Sequence, residues 1–106
     1  MKFMNADFEE IWLKILIKKK GTFYIQVQNS DNSVDYNVYN YLSPEYDELN
    51  EIDGGVIDNC NSISDILEEV FYDENIEEIY LLEDAYLEDD KLFYKKSSRI
   101  TDLIGG

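Results

Sequence analysis

Carboxylates are the side chains of this sequence that occur densely enough to suggest chemistry. Adjacent pairs stand at Glu68/Glu69, Glu77/Glu78 and Asp89/Asp90. Two facing carboxyls are what a glycosidase or a magnesium-dependent nuclease would use, but neighbours in sequence do not face each other on a helix or a strand. There is no His, which removes the usual general base and the commonest metal ligand. Cys60 is the one cysteine, so neither an internal disulfide nor a Cys-based zinc site can form within the chain; it reads as a small buried apolar residue. Ser/His and Cys/His pairings and a phosphate-cradling glycine loop are missing as well. A calcium loop over 47–58 fails on register: with Gly54 at the sixth loop position, Leu49 and Cys60 fall where carboxylates are required. A chain of 106 residues leaves little room for a deep pocket. The expectation is a non-enzymatic protein with no cofactor and no metal.

The acids do something else by their distribution. Gly21 to Asp90 holds ten Asp, ten Glu and no Lys, Arg or His, whereas Lys2, Lys14, Lys18, Lys19, Lys20 and Lys91, Lys95, Lys96, Arg99 flank it. The net charge is −15. Such a charge opposes direct binding to nucleic acid or to an anionic membrane and favours a cationic partner. Carboxylates repeat at about 5–6 Å on a helix (i, i+4) and about 7 Å on a strand (i, i+2), spacings comparable to those of a nucleic-acid backbone. The expected contacts are Asp47, Glu48, Glu51, Asp53, Glu68, Glu69, Glu77, Asp89 and Asp90. Tyr39, Tyr41 and Tyr46 are the candidate aromatic contacts, because Tyr is enriched at binding hot spots. The plainer alternative is that the acidity confers only solubility.

These residues need a scaffold, and the composition provides for one. An apolar content of 44% with 14% aromatics belongs to a folded chain rather than a disordered acidic tail, and the length fits a single acidic α+β domain over 1–106. Phe8, Ile11, Trp12, Ile15 and Leu16 share a helical face, so 7–20 is expected to be an amphipathic helix, with Asp7 and Glu10 as a capping box, Lys18 to Lys20 at its negative end and Gly21 past its end. Phe23, Ile25 and Val27 alternate with polar residues, as do Val34, Tyr36 and Val38, which predicts an antiparallel hairpin turning at 29–33. Ser43-Pro44 predicts a short helix over 45–51, and Gly54-Gly55 a break. Ser62 with Asp65, then Ile63, Ile66, Leu67, Val70 and Phe71, predict a second helix. Residues 76–87 and 92–97, separated by Glu88-Asp89-Asp90, predict a second hairpin in which Lys95 and Lys96 pair across with Glu77, Glu78 or Glu83. The expected fold is therefore a four-stranded, mostly antiparallel sheet with an N-terminal amphipathic helix and a second helix packed on one face.

Size, the leading amphipathic segment, the hairpin and the acid-rich remainder together make the chain resemble the small acidic phage anti-CRISPR proteins, some of which mimic DNA. The resemblance spans the whole chain and matches no residue motif. It implies a partner such as a Cas effector or nuclease, with the acids standing in for phosphates. An immunity protein or antitoxin that plugs a basic nuclease toxin would carry the same signature. The terminal Gly105-Gly106 opens a third reading, a ubiquitin-like or sulfur-carrier protein, with a β-β-α-β-β order to support it. Ile11 to Ile17 is too short, and Lys14 too disruptive, for a membrane span or signal-peptide core. The expected location is cytoplasmic, in the host cell if phage-encoded.

Overall fold

The segment Glu10–Ile17 has six apolar residues in eight and is a strand, β1, rather than part of a helix. A computed structural model describes residues 10–30, 33–43, 46–58 and 63–100. In it Leu13, Ile15 and Ile17 are buried on one side of β1 and Trp12 is buried on the other. A strand covered on both faces reads as a nearly continuous apolar run, and such a run matches the i, i+3, i+4 template by default. The expected helical face omitted Leu13 and Ile17, which are 0% and 3% exposed. Three β-branched isoleucines and a tryptophan favour the extended form. Lys18 to Lys20 accordingly form the β1–β2 turn instead of ending a helix. Lys19 there is left-handed (φ 70°) and Gly21 stands at φ 93°, where a residue without Cβ is unstrained.

Around β1 the chain builds one curled, all-antiparallel sheet of eight strands. The strands are β2 (Gly21–Ser30), β3 (Ser33–Ser43), β4 (Tyr46–Asp58), β5 (Ile76–Glu83), β6 (Tyr86–Glu88), β7 (Lys91–Phe93) and β8 (Lys96–Arg99), and α1 (Ile63–Val70) is the single helix among the described residues. Their order across the sheet is β6-β7-β4-β3-β2-β1-β5-β8. The four-stranded sheet with two helices is thus replaced by a mostly β architecture in which four strands precede α1 and four follow it.

Both faces of the sheet are covered. On one, Ile66, Leu67 and Phe71 of α1 and its C-terminal turn pack on Leu13, Ile15, Ile25, Val27, Val38 and Ile79. On the other, Trp12, Tyr24, Tyr39, Leu49 and Leu82 form a second cluster beneath Ala85, Leu87 and Leu92. These last residues belong to the β6–β7 hairpin and the link leading into it. The hairpin leaves β5 and reaches β4, with Glu48 opposite Lys91, so it crosses that face and links non-adjacent strands. Its two-residue turn has Asp89 at φ 53° and Asp90 at φ 65°, the doubly left-handed geometry that Asp tolerates in tight hairpins. The expected turn at 88–90 is therefore present, but it joins β6 to β7. β5 pairs with β1 and β8. Lys96 does stand opposite Glu83 in the β5–β8 register, while the ion pair across this ladder is Arg99 with Glu78, at 3.6 Å.

β4 replaces both the expected helix over 45–51 and the expected break at Gly54-Gly55. Asp, Glu, Asn and Gly all disfavour strands locally, and pairing with β3 over Ser33–Ser43 overrides that preference. Gly55 is opposite Tyr36, whose ring occupies the space a side chain would need: an added Cβ would stand 2.9 Å from the hydroxyl and 3.1 Å from two ring carbons. Gly55→Val should therefore displace the ring and cost about 1–3 kcal/mol, visible as a lowered thermal midpoint. An unchanged midpoint would mean that the ring does not lie over Gly55.

Candidate partner-binding surface

The expected acidic contacts fall into separate patches. At the hairpin tip, Asp89 and Asp90 are exposed in the β6–β7 turn, and the carbonyl oxygen of Asp90 accepts a hydrogen bond from the Leu49 amide at 2.6 Å. Glu48 is half-buried beside them, opposite Lys91. Asp47 precedes it on β4, and the side chains of Asp47 and Tyr46 lie outside the described residues. Farther along the same strand, Glu51 and Asp53 are exposed, and Glu68 and Glu69 are exposed on α1. Glu77 lies on β5, with β3, β2 and β1 between it and β4. Sheet formation thus gathers Glu48, Asp89 and Asp90 at the hairpin tip and Asp53, Glu68 and Glu69 on the α1 side, two patches joined by β4, while Glu51, opposite Tyr39, lies on the other face and Glu77 stands apart.

Asp53 of β4 and Glu69 of α1 both act on Tyr36. Its hydroxyl pKa is raised above 10.0, first by burial and then by the charges of Asp53 and Glu69, so one strand carboxylate and one helix carboxylate act on the same ring. Because the folded-state value is the higher one, this group's contribution to stability is complete below pH 10.0 and is lost as pH climbs through the raised value. Asp53→Asn should lower the Tyr36 pKa while leaving it above 10.0, since burial is the larger cause. Titration of the Tyr36 ring carbon by NMR separates it from the other tyrosines. An unmoved pKa would place Asp53 away from the ring.

None of these carboxylates is neutralised by an ion pair recorded among the described residues. The two pairs there are Lys20 with Glu74 at 2.6 Å and Arg99 with Glu78 at 3.6 Å, both at partly exposed sites where such contacts contribute about 0–1 kcal/mol. Asp53 uses one oxygen to accept the Gly54 amide at 2.8 Å. Between α1 and the sheet lies a cleft of about 200 Å³, floored by Phe23, Val38 and Phe71 and rimmed by Asp53, Glu74 and Lys20.

Glu10 differs from these surface acids. One of its oxygens accepts from Gln26 at 2.7 Å and Gln28 at 3.0 Å, and the other accepts the Trp12 indole N–H at 3.2 Å. Three neutral donors hold it in a fixed structural position. The cleft of about 500 Å³ beside it is lined by Trp12, Leu82, Glu83 and Asp84, and among the described residues no group of three or more His, Cys, Asp or Glu could hold a metal ion. No helix among them is long and apolar enough to cross a membrane.

The candidate tyrosines divide. Tyr39 is 8% exposed and its ring lies 5.3 Å from that of Trp12, so it is committed to the core. Tyr41 is 41% exposed and shares a 2.9 Å hydrogen bond with the Tyr24 hydroxyl. Sequence reasoning overlooked Tyr86 and Phe93, which stack at 5.4 Å on the exposed side of the β6–β7 hairpin. Their placement on either side of the Asp89-Asp90 turn was the available signal, since residues equidistant from a tight turn face each other. No family model, curated protein or solved structure matches this chain. Its functional reading therefore rests on its own charge and geometry.

Proposed function

We propose that this protein is a non-enzymatic acidic inhibitor that occupies the basic nucleic-acid-binding surface of a partner protein. The kind of partner is a Cas effector or another nuclease, and the kind of role is phage anti-defence by DNA mimicry, exercised in the host cytoplasm. The observation that carries this reading is the pair of acidic patches joined by β4, whose candidate carboxylates have no cationic partner recorded among the described residues. A cleft lined with Lys and Arg would be steered onto such a surface and would release from it as salt rises. The ring of Tyr36, under the charges of Asp53 and Glu69, supplies a local measure of that negative potential.

The test is capture of partners by the tagged protein from host lysate at about 100 mM salt and again at severalfold higher salt, where screening is stronger. The expected result is a nucleic-acid enzyme that salt releases and nucleic acid displaces. A toxin nuclease in place of a defence nuclease would assign the protein to immunity. Partners whose binding ignores salt, or a covalent adduct at Gly106, would overturn the proposal.

A further inference from the structure

Among the described residues, β4 is covered on only part of its outer side. Of its 13 residues, Glu48 pairs with β7, whereas 50–56 are exposed throughout. The register with β3 slips at Ile52, the unmatched residue between Glu51 and Asp53, and then runs without interruption from Asp53 to Asp58. In an antiparallel ladder, successive residues direct their backbone groups alternately toward the neighbouring strand and away from it. The Gly54 amide donates to the Asp53 carboxylate rather than to β3, so Gly54 is of the outward kind. Val56 and Asp58 share its parity and also present N–H and C=O groups to the open side.

Open edges are usually guarded against pairing by charge, and here the guards are all of one sign. Glu51, Asp53 and Asp58 repel another acidic strand or another copy's β4, while a strand bearing cations would gain from opposite-charge pairs across the ladder. Val56, 62% exposed, offers an apolar contact between them. We propose that the open edge of β4 over 54–58 is a docking strand for an extended, Lys- or Arg-bearing segment of the partner. That segment adds to the sheet through main-chain hydrogen bonds and sets its cationic side chains against Glu51 and Asp58, which share with Val56 the face of β4 turned away from α1. This inference rests on the acidic-inhibitor reading and specifies how contact is made.

The probe is a blocked peptide of about ten residues alternating Arg and Val, within the usual range of strand lengths, compared with the same peptide N-methylated at every residue, since methylation of alternate residues would leave one edge able to donate. The two have equal charge, but only the first can donate along a strand edge. Binding of the first should slow hydrogen exchange of the Val56 and Asp58 amides about tenfold or more, and N-methylation should weaken binding about tenfold or more. Val56→Pro, which removes an outward N–H and no bond to β3, should weaken binding comparably, whereas Val56→Thr should not. Equal binding of the two peptides would sink the docking strand and leave the charge-based reading intact. Binding of neither would sink both. Protection of the Val56 amide that rises with protein concentration and needs no peptide would make the occupant a second copy's basic β8, and would also overturn the proposal.

Discussion

Leu13→Ala is expected to lower the free energy of unfolding by about 2–5 kcal/mol, the range for truncating a fully buried leucine. Leu13 is 0% exposed and sits at the centre of the cluster between the sheet and α1. For a chain of this size each kcal/mol moves the thermal midpoint by about 4–8 °C, so the variant should melt about 8–40 °C early or fail to fold. Leu16→Ala, at a half-buried position on the opposite side of β1, should cost clearly less. The order of the two effects carries the information. On a helix beginning near Asp7, Leu16 would belong to the apolar face and Leu13 would not, so the reverse order would mean that the segment is helical.

Asp53→Asn, Glu68→Gln and Glu69→Gln combined should slow association with the basic partner about tenfold or more and flatten its dependence on salt, because charged patches act mainly on encounter rates. All three side chains are exposed, so stability should change by no more than about 0.5 kcal/mol per site. The control is Glu77→Gln, Glu78→Gln and Glu83→Gln on β5, which alters the net charge identically, from −15 to −12. Stopped-flow association at two salt concentrations compares the sets. Equal slowing by both would mean that overall charge governs binding and that the β4–α1 patch is not the contact.

Part of this surface was legible in the sequence. The acidic stretch, its lack of cations and the exposed face of α1 follow from composition and a 3.6-residue period. How the acids group does not, because Asp53 and Glu69 meet at Tyr36 only through the pairing of β4 with β3 and the packing of α1. Tyr39 shows the same limit in reverse: a tyrosine in an alternating strand can be an exposed contact or a core ring, and the approach of Trp12 from β1 decides.

By itself the sequence determined β2, β3, α1 and the turn at Asp89-Asp90. Half-buried strands and amphipathic helices write their period into the chain, and tight turns select a few residue types. It also carried the net charge of −15 from which the proposal of a cationic partner starts, and which needs no fold to be read. Only the tertiary structure decided β1 and β4. β1 is apolar on both faces and so has no period that separates strand from helix. β4 is built from residues that disfavour strands and is held extended by a neighbour's hydrogen bonds. The crossing of the β6–β7 hairpin to β4 was equally invisible, since contacts between segments distant in sequence leave no local pattern. Those same non-local contacts bring Asp53 and Glu69 to one ring and lay the β6–β7 hairpin against β4.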